Sequence, residues 1–199
     1  MNSSLSDIIN VVDTLLNTPR IGWIQRGVSG GTAETVGDHI LLTSYLALII
    51  CNSVKGAGIN LDLGKCIIMA LIHDAHEALM GNVGNNVRSM ISNWRDLEVQ
   101  VFRSLGFPDY LNEYFREYRY ESSVEGKVVN LADKLATYMR ACFYSMIGYD
   151  TSELINNYKE LISKIMSELP PEITRAIQGI ITPLLSEDYC LNIRRVRHD

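Results

Sequence analysis

The sequence has few of the features that mark membrane-bound or nucleic-acid-binding proteins. The formal net charge is −5 and the isoelectric point is about 5.4, so no broad positive surface is expected for nucleic acid or an anionic membrane. The most apolar run, from Ile40 to Ile50, is too short to cross a bilayer and predicts a core helix. No basic segment followed by an apolar one opens the chain, so we expect no signal peptide.

Cysteine is also sparse. The four cysteines, Cys51, Cys66, Cys142 and Cys190, are scattered, and no two of them form a CxxC pair. At least Cys51 and Cys66 lie in apolar runs of helical character. We therefore expect reduced thiols in the core of a cytoplasmic protein.

The chain lacks both an internal repeat and the apolar–polar alternation of β-strands. Helical periodicity and breaker residues predict an all-α protein. We expect one domain over residues 1–199, followed at its end by a polar, frayed tail from Asn192. The predicted helices span about 6–16 (capped by Ser6), 37–54, 62–80, 93–105, 108–120, 122–147, 151–169 and 170–185.

A long loop, Arg20 to Val36, separates the first two predicted helices. It holds four glycines and has no sustained period. Long ordered loops are more often functional than short ones. This one carries charged and aromatic side chains and leads directly to His39.

Ionisable residues are concentrated just after an apolar run, where His73, Asp74, His76 and Glu77 follow one another closely. A buried helix does not bring such groups into an apolar interior unless something satisfies them, and a divalent cation would do so. His73 and Glu77 share one helical face, whereas His73 and Asp74 lie about 100° apart around the axis. His73 and Asp74 can both reach one ion only if it lies over the helix edge between them, so further ligands must come from other segments.

The remaining ligand candidates are few, because the chain has only four histidines and His198 lies in the tail. His39 follows the long loop, and Asp133 sits among apolar residues within a predicted helix. Each also has an ordinary interpretation, since His39 could bond a neighbour and Asp133 could pair with Lys134 or another base. Two imidazoles and two carboxylates suit one divalent ion (Mn, Co, Ni, Fe, Zn or Mg) with coordination positions left open.

The ordered pattern His39, His73-Asp74, Asp133 resembles the HD-domain metal-dependent phosphohydrolases. The chain is most similar to their 5′-deoxyribonucleotidase-like branch, through Arg20-Ile-Gly-Trp-Ile, Glu34-Thr-Val-Gly-Asp-His39, His73-Asp74-Ala-His-Glu77 and Asp133-Lys134. The resemblance spans roughly residues 20–144. It implies an HD-domain helical bundle with a core over about 20–147, on which helices of about 150–186 pack.

The same resemblance implies a function. It points to one divalent metal ion held by His39, His73, Asp74 and Asp133. The implied reaction is hydrolysis of the phosphomonoester of (deoxy)nucleoside 5′-monophosphates by a metal-activated water. The expected partners are therefore a small phosphate ester and a second copy of the chain in a homodimer, with neither nucleic acid nor membrane.

Roles for the other candidates follow from chemistry and resemblance together. Glu77 is placed to take the water's proton, or else it orients His73. Arg20 is the best phosphate clamp, because a planar guanidinium grips two phosphate oxygens. Arg26 is a second candidate that could instead form a surface ion pair. Trp23 could pack beside a nucleoside or belong to the core.

One position departs from the branch that the chain resembles. Gly81-Asn82 stands where that branch usually has Gly-Asp, and Asn neither accepts a proton at neutral pH nor adds charge at a metal. This departure leaves the exact substrate open. The role of His76 is also open, because a contact with a ligand, with substrate or with solvent would each suit its position. Two alternatives also stay open: an HD phosphohydrolase acting on a triphosphate, cyclic nucleotide or guanosine polyphosphate, and a metal-binding regulatory module with little turnover.

Overall fold

A computed structural model describes residues 4–192, and within that range helices joined by turns and loops are the regular structure, apart from an isolated β-bridge between Pro19 and Thr35. The predicted all-α fold class is confirmed. The α-helices, with a 3₁₀ turn at Thr182–Leu185 between the last two, are α1 Leu5–Asn17, α2 Ile21–Ile24, α3 Val36–Gly56, α4 Leu63–Ile72, α5 Glu77–Met80, α6 Asn85–Arg88, α7 Trp94–Ser104, α8 Asp109–Tyr120, α9 Val124–Met146, α10 Ser152–Glu168, α11 Pro171–Ile181 and α12 Glu187–Asn192.

The centre of the fold is a packed group of three helices, α3, α4 and α9, which contact one another. Their shared core contains the fully buried side chains of Ile50, Met69, Leu131 and Leu135. Helix α10 packs on α9, and α11 packs on α3. Burial of this much apolar surface holds the ends of α3 and α4 against the middle of α9, which positions the candidate ligands.

Helix α1 begins earlier than predicted. Its cap is Ser4 rather than Ser6, because the Ser4 hydroxyl accepts the Asp7 N–H at 3.2 Å and the Asp7 carboxylate accepts the Ser4 N–H at 2.8 Å. This reciprocal pair is a capping box, which satisfies N–H groups that the first helical turn leaves open.

The predicted helix over about 62–80 is wrong in its middle, since α4 ends at Ile72 and α5 begins at Glu77. The His73 ring donates from Nδ1 to the Ala70 carbonyl at 2.7 Å. That carbonyl is the acceptor that the Asp74 N–H would use in a continuous α-helix. The chain instead makes tighter turns here, with the Glu77 N–H donating to the Asp74 carbonyl at 3.0 Å.

The C-terminal part corrects the expectation about cysteine. Cys142 on α9 and Cys190 on α12 form a disulfide, whereas Cys51 and Cys66 are buried free thiols as expected. Helix α12 was not predicted, and the remainder of the predicted frayed tail, 193–199, lies outside the described residues. The apolar positions of α11, Ile173, Ile177 and Ile181, are buried against the core.

Helices α1 and α3 share an exposed apolar surface. Among residues 4–192, α3 is the helix that is long and apolar enough to cross a membrane by length and composition, and half of that apolar window is buried in the fold. The two helices adjoin where Leu16 packs against Gly37, one turn before Leu41. We name this surface the α1–α3 apolar face; its exposed members are Leu5, Ile9, Val12, Leu16, Leu41, Tyr45, Leu48 and Ile49.

Candidate metal centre

The four predicted ligands meet inside the fold. His39 lies in the first turn of α3, His73 and Asp74 follow the end of α4, and Asp133 lies within α9. All four side chains are buried. His39 Nε2 is 3.0 Å from Asp133 Oδ1 and 3.7 Å from Asp74 Oδ2, and His73 Nε2 is 3.3 Å from Asp74 Oδ2. Residues that are 94 positions apart in the sequence thus share one site.

The ligand atoms of His39, His73 and Asp74 lie within 4.8 Å of one another and Asp133 contacts His39, so the group is compact enough to surround one divalent ion. Ligand atoms that each lie about 2.1 Å from one ion are about 3.0 to 3.4 Å apart in octahedral or tetrahedral arrangements. His73 Nε2 is buried and makes no hydrogen bond within the described residues, because the ring's Nδ1–H is used by the Ala70 carbonyl. Its lone pair therefore faces the Asp74 carboxylate, and a cation must lie between them, either a proton or a metal ion.

The charge states of the ligands follow from their surroundings. Burial alone would raise the pKa of Asp74, but the neighbouring histidines lower it by more. The pKa of Asp74 therefore lies well below its usual range. Burial also raises the pKa of Asp133, but Lys134 and His39 lower it by more. The pKa of Asp133 is therefore held well below its usual range. Both carboxylates are therefore ionised at neutral pH. Burial and Arg20 lower the pKa of His39, which favours the neutral ring that a metal needs.

A second layer of side chains orients Asp133. Its Oδ2 accepts the Tyr118 hydroxyl at 3.0 Å and Lys134 Nζ at 2.6 Å, while Oδ1 points towards His39. Such outer partners fix a ligand's orientation and tune the ion's affinity. Nothing in the sequence around Tyr118 marks it, since it is one of several tyrosines on α8 and reaches the site only through helix packing.

The loop between α1 and α3 brings Arg20 beside the other ring nitrogen of His39. The β-bridge between Pro19 and Thr35 closes the loop, and Glu34 Oε2 accepts Arg20 NH1 at 3.0 Å. Arg20 NH1 also lies 3.1 Å from His39 Nδ1. Because a guanidinium only donates, Nδ1 accepts this bond and the ring's proton sits on Nε2, towards Asp133. An ion at Nε2 would therefore require that proton to move to Nδ1.

Glu77 is buried beside the cluster and held at both oxygens. Arg88 NH2 donates to Oε1 at 2.6 Å, and Asn82 Nδ2 donates to Oε2 at 2.7 Å. Burial and the Asp74 charge raise the pKa of Glu77 to about 7, against the opposing effects of Arg88 and Asn82. A carboxyl group with this pKa can both accept and release a proton near neutral pH.

His76 belongs to a neighbouring buried charge group. Its Nε2 lies 3.3 Å from Glu98 Oε1, and Glu98 is also the acceptor for Arg119 NH2. Arg88 NH1 lies 3.9 Å from the same carboxylate, which links this group to Glu77. His76 thus pairs with Glu98 through Nε2, while its buried Nδ1 has no hydrogen-bond partner within the described residues. With Asp74 and Glu77, His76 also forms a second group of possible metal ligands, whose ligand atoms lie within 4.8 Å of one another.

A cleft of about 490 Å³ opens over the carboxylates of the site. One wall is a face of α10 that the sequence assigned only to covering the core, and its amphipathic pattern does not distinguish the two roles. Among residues 4–192, five cationic side chains line the cleft: Arg20, Arg26, Arg88, Arg119 and Lys134. The α10 wall consists of Glu153, Leu154, Asn157, Tyr158 and Leu161.

The three predicted substrate contacts, Arg20, Arg26 and Trp23, have different surroundings in the structure. Arg20 lines the cleft beside the ligands. Arg26 lies farther out and donates to the Gly22 carbonyl at 3.2 Å. Trp23 is 2 % exposed, donates from Nε1 to Glu34 at 3.0 Å and packs against Tyr144, so most of its ring belongs to the core.

Comparison with known proteins places these features in context. An HD domain model matches residues 12–174. A curated relative, the human 5′-deoxynucleotidase HDDC2, is 27 % identical over 183 residues, which cover 89 % of this chain and 84 % of the relative.

Solved structures give a similar picture. A conserved hypothetical protein from Pyrococcus furiosus superposes with a TM-score of 0.78 at 28 % identity, covering 91 % of this chain and 98 % of the other. An HD-domain phosphohydrolase from Listeria innocua has a TM-score of 0.69 at 18 % identity, covering 93 % and 92 % of the two chains. The latter shares the fold.

Proposed function

This chain belongs to the HD domain family, and from that premise we propose that it is a metal-dependent phosphohydrolase. Its proposed substrates are (deoxy)nucleoside 5′-monophosphates, whose phosphomonoester it hydrolyses with a metal-activated water. The human relative named above is a 5′-deoxynucleotidase, which supports this choice of substrate.

One observation carries the proposal: the group of His39, His73 and Asp74, with Asp133 3.0 Å from His39, lies beside the buried Glu77 carboxyl group and opens into a cleft lined by both cationic side chains and carboxylates. A structural site would use all its coordination positions internally, whereas Asp74 and Asp133 also line the cleft. Substrate could therefore reach the ligands from that side. A divalent ion bound there supplies Lewis acidity to a phosphate oxygen and lowers the pKa of a water.

Within this proposal Glu77 moves the proton. Its carboxylate would accept a proton from the attacking water at one of its oxygens and pass that proton to the leaving alkoxide. Arg88 and Asn82 hold the two carboxylate oxygens in place while this happens. Precise placement matters because a base must lie within hydrogen-bond reach of the proton it takes.

The cleft's charge balance supports a monophosphate. Four of the cationic side chains that line it are already ion-paired within the described chain: Arg20 with Glu34, Arg88 with Glu77, Arg119 with Glu98, and Lys134 with Asp133. Such pairing leaves a modest positive potential, which suits one phosphate better than three. Arg20 lines the cleft beside His39 and is the proposed phosphate clamp, with Arg26 as a second cation on the same cleft.

The nucleoside would extend along the cleft towards α10. Leu154, Tyr158 and Leu161 offer an apolar surface there. Trp23 contributes at most an edge to this pocket, since its ring is almost fully buried.

We further propose a cytoplasmic homodimer that acts on a small molecule. The α1–α3 apolar face supports the dimer, since contiguous exposed apolar surface of this kind marks interaction sites. The free thiols of Cys51 and Cys66 suit the cytoplasm, whereas the Cys142–Cys190 disulfide is a bond rarely kept there. Light scattering of the purified protein and cell fractionation test these two points.

A phosphate-release screen tests the activity. Purified protein is assayed with nucleoside and deoxynucleoside 5′-mono- and triphosphates, each with Mn, Co or Mg. Release from monophosphates alone is the expected result. Chromatography of the products formed from triphosphates, cyclic nucleotides and guanosine polyphosphates covers reactions that release no free phosphate. Turnover of any of these would favour another HD phosphohydrolase, and no turnover of any substrate with any metal would favour a regulatory module.

A further inference from the structure

Asn82 connects two walls of the cleft with a single carboxamide. Its Oδ1 accepts the backbone N–H of Ile21 at 2.7 Å, and its Nδ2 donates to Glu77 Oε2 at 2.7 Å. Ile21 is the first residue of α2, where the N–H has no partner within the helix, and the preceding Arg20 provides no side-chain cap. Asn82, which lies in another segment of the chain, therefore supplies the hydrogen-bond acceptor for the first N–H of α2.

The two bonds join the parts of the site that the proposed reaction uses. Arg20 directly precedes Ile21 and lies against His39 Nδ1. Asn82 thus fixes the backbone that carries the phosphate clamp at a set distance from the Glu77 carboxylate. Hydrogen bonds thus connect Glu77 through Asn82 to the Ile21 backbone, and the side chain of the adjacent Arg20 contacts His39 in the present geometry.

We propose that Asn82 is a positioning residue, which sets the separation between the Glu77 carboxylate and the Arg20 segment. This inference rests on the proposed function for its kinetic consequences. In this chain the carboxamide serves both contacts, since one end accepts and the other donates, whereas the branch that the chain resembles usually has an aspartate here. An aspartate at this position could still accept the Ile21 N–H, but it would face Glu77 as a second carboxylate and repel it.

Two substitutions separate the two halves of the carboxamide. Asn82→Ala removes both bonds, whereas Asn82→Asp keeps an acceptor for Ile21 and loses the donor to Glu77. Amide hydrogen exchange at Ile21, followed by NMR, reports the first bond without any need for activity. The value of kcat with a nucleoside 5′-monophosphate reports the second. Asn93→Ala is the matched control, because Asn93 is exposed and its side chain makes no cap bond.

We expect Ile21 exchange to accelerate at least about tenfold in Asn82→Ala and to stay slow in Asn82→Asp. We expect kcat to fall about tenfold or more in both variants, with KM changed less than kcat, while metal content and Tm stay near wild type. Asn93→Ala should match wild type in all four measurements.

The inference is overturned if Ile21 exchange is unchanged in Asn82→Ala, or if kcat in Asn82→Asp stays within twofold of wild type. A wild-type protein that releases no phosphate would refute the proposed function instead. In that case the exchange measurement alone decides whether Asn82 holds the Arg20 segment.

Discussion

The Tyr118 hydroxyl donates to Asp133 Oδ2 at 3.0 Å, on the side of the carboxylate that faces away from the other ligands. His39 Nε2 lies 3.0 Å from Oδ1. The two carboxylate oxygens thus differ in their contacts: Oδ2 accepts hydrogen bonds from the protein, and Oδ1 faces His39 and the proposed ion position. The edge of the Tyr118 ring also packs against His73, with ring centroids 5.6 Å apart. One side chain therefore contacts two of the four predicted ligands.

Tyr118→Phe should weaken metal binding while the fold is kept. The ring and its packing remain, but Asp133 loses one of the two donors that fix its Oδ2. Loss of an outer hydrogen bond of this kind costs about 10- to 100-fold in metal affinity. Titration with Co or Mn, followed calorimetrically, measures the change in Kd. Tyr110→Phe, an exposed tyrosine on the same helix, is the control, and equal Kd values for the two variants would contradict the role given to Tyr118.

Glu77→Gln should abolish turnover and leave metal bound. The amide keeps the size of the side chain but cannot take a proton, so kcat should fall about 10²- to 10⁴-fold. Glu77→Ala should behave in the same way. Metal content by elemental analysis, measured with kcat, separates the two interpretations of Glu77. Loss of metal together with activity would make Glu77 a ligand or an orienting group for His73, and Glu172→Gln on the exposed side of α11 controls for the charge change.

Glu34 should stabilise the fold in a pH-dependent way. Burial alone would raise the pKa of Glu34, but Arg20, His39 and Arg140 outweigh it and hold the pKa below its ordinary value. A carboxyl group whose pKa is lowered on folding contributes stability above its unfolded pKa, and that contribution is lost as the pH falls through the folded value.

Urea denaturation of Glu34→Gln at two pH values measures this contribution. At pH 7 the variant should be less stable than wild type by about 2 kcal/mol, since charge-assisted bonds to two arginines are lost. The difference should shrink as the pH falls below about 4.5, the ordinary value for glutamate. A difference that is constant or grows towards acid would show that Glu34 does not stabilise through its charge. Glu172→Gln should show no such dependence.

Three of the four candidate ligands could be proposed from the sequence because they depart from their local pattern, whereas His39 was proposed from its place in the ordered HD pattern. His73 and Asp74 follow an apolar run, and Asp133 interrupts another, so each is costly to bury without a cation. Helix boundaries were predictable for similar reasons where caps and prolines mark them, as at Ser123 before α9 and Pro108 before α8. The local sequence is therefore enough to predict these helix boundaries.

The rest of the site depends on packing between distant segments. Tyr118, Arg88 and Asn82 reach the site from α8, from α6 and from the turn before it, and no periodicity marks them. The break after Ile72 was missed because its cause is a side-chain bond, from His73 to the Ala70 carbonyl, which competes with the helix. The α10 wall of the cleft was missed because an amphipathic helix looks the same whether its polar edge meets solvent or substrate.

Metal binding should change the tautomer of His39. In the present geometry Arg20 NH1 donates to Nδ1, so the ring proton lies on Nε2 and points to Asp133. An ion at Nε2 moves that proton to Nδ1, where it would oppose the Arg20 N–H, and Arg20 should then leave His39 and become free for a phosphate.

Long-range ¹⁵N–¹H NMR of the histidine rings, with a diamagnetic ion such as Zn²⁺ or Mg²⁺, measures this change directly. The His39 signals, assigned by their absence in His39→Asn, should switch from the Nε2–H to the Nδ1–H pattern as metal is added. His76 is followed in the same spectra, because it lies with Asp74 and Glu77 in a second group of possible ligands, and a switch at His76 instead of His39 would contradict the prediction. If His39 already carries its proton on Nδ1 without metal, Arg20 is not its donor, and the clamp needs no release. If His39 stays protonated on Nε2 while the ion binds, His39 is not a ligand through that nitrogen, and the ion must be held by His73, Asp74 and Asp133 alone.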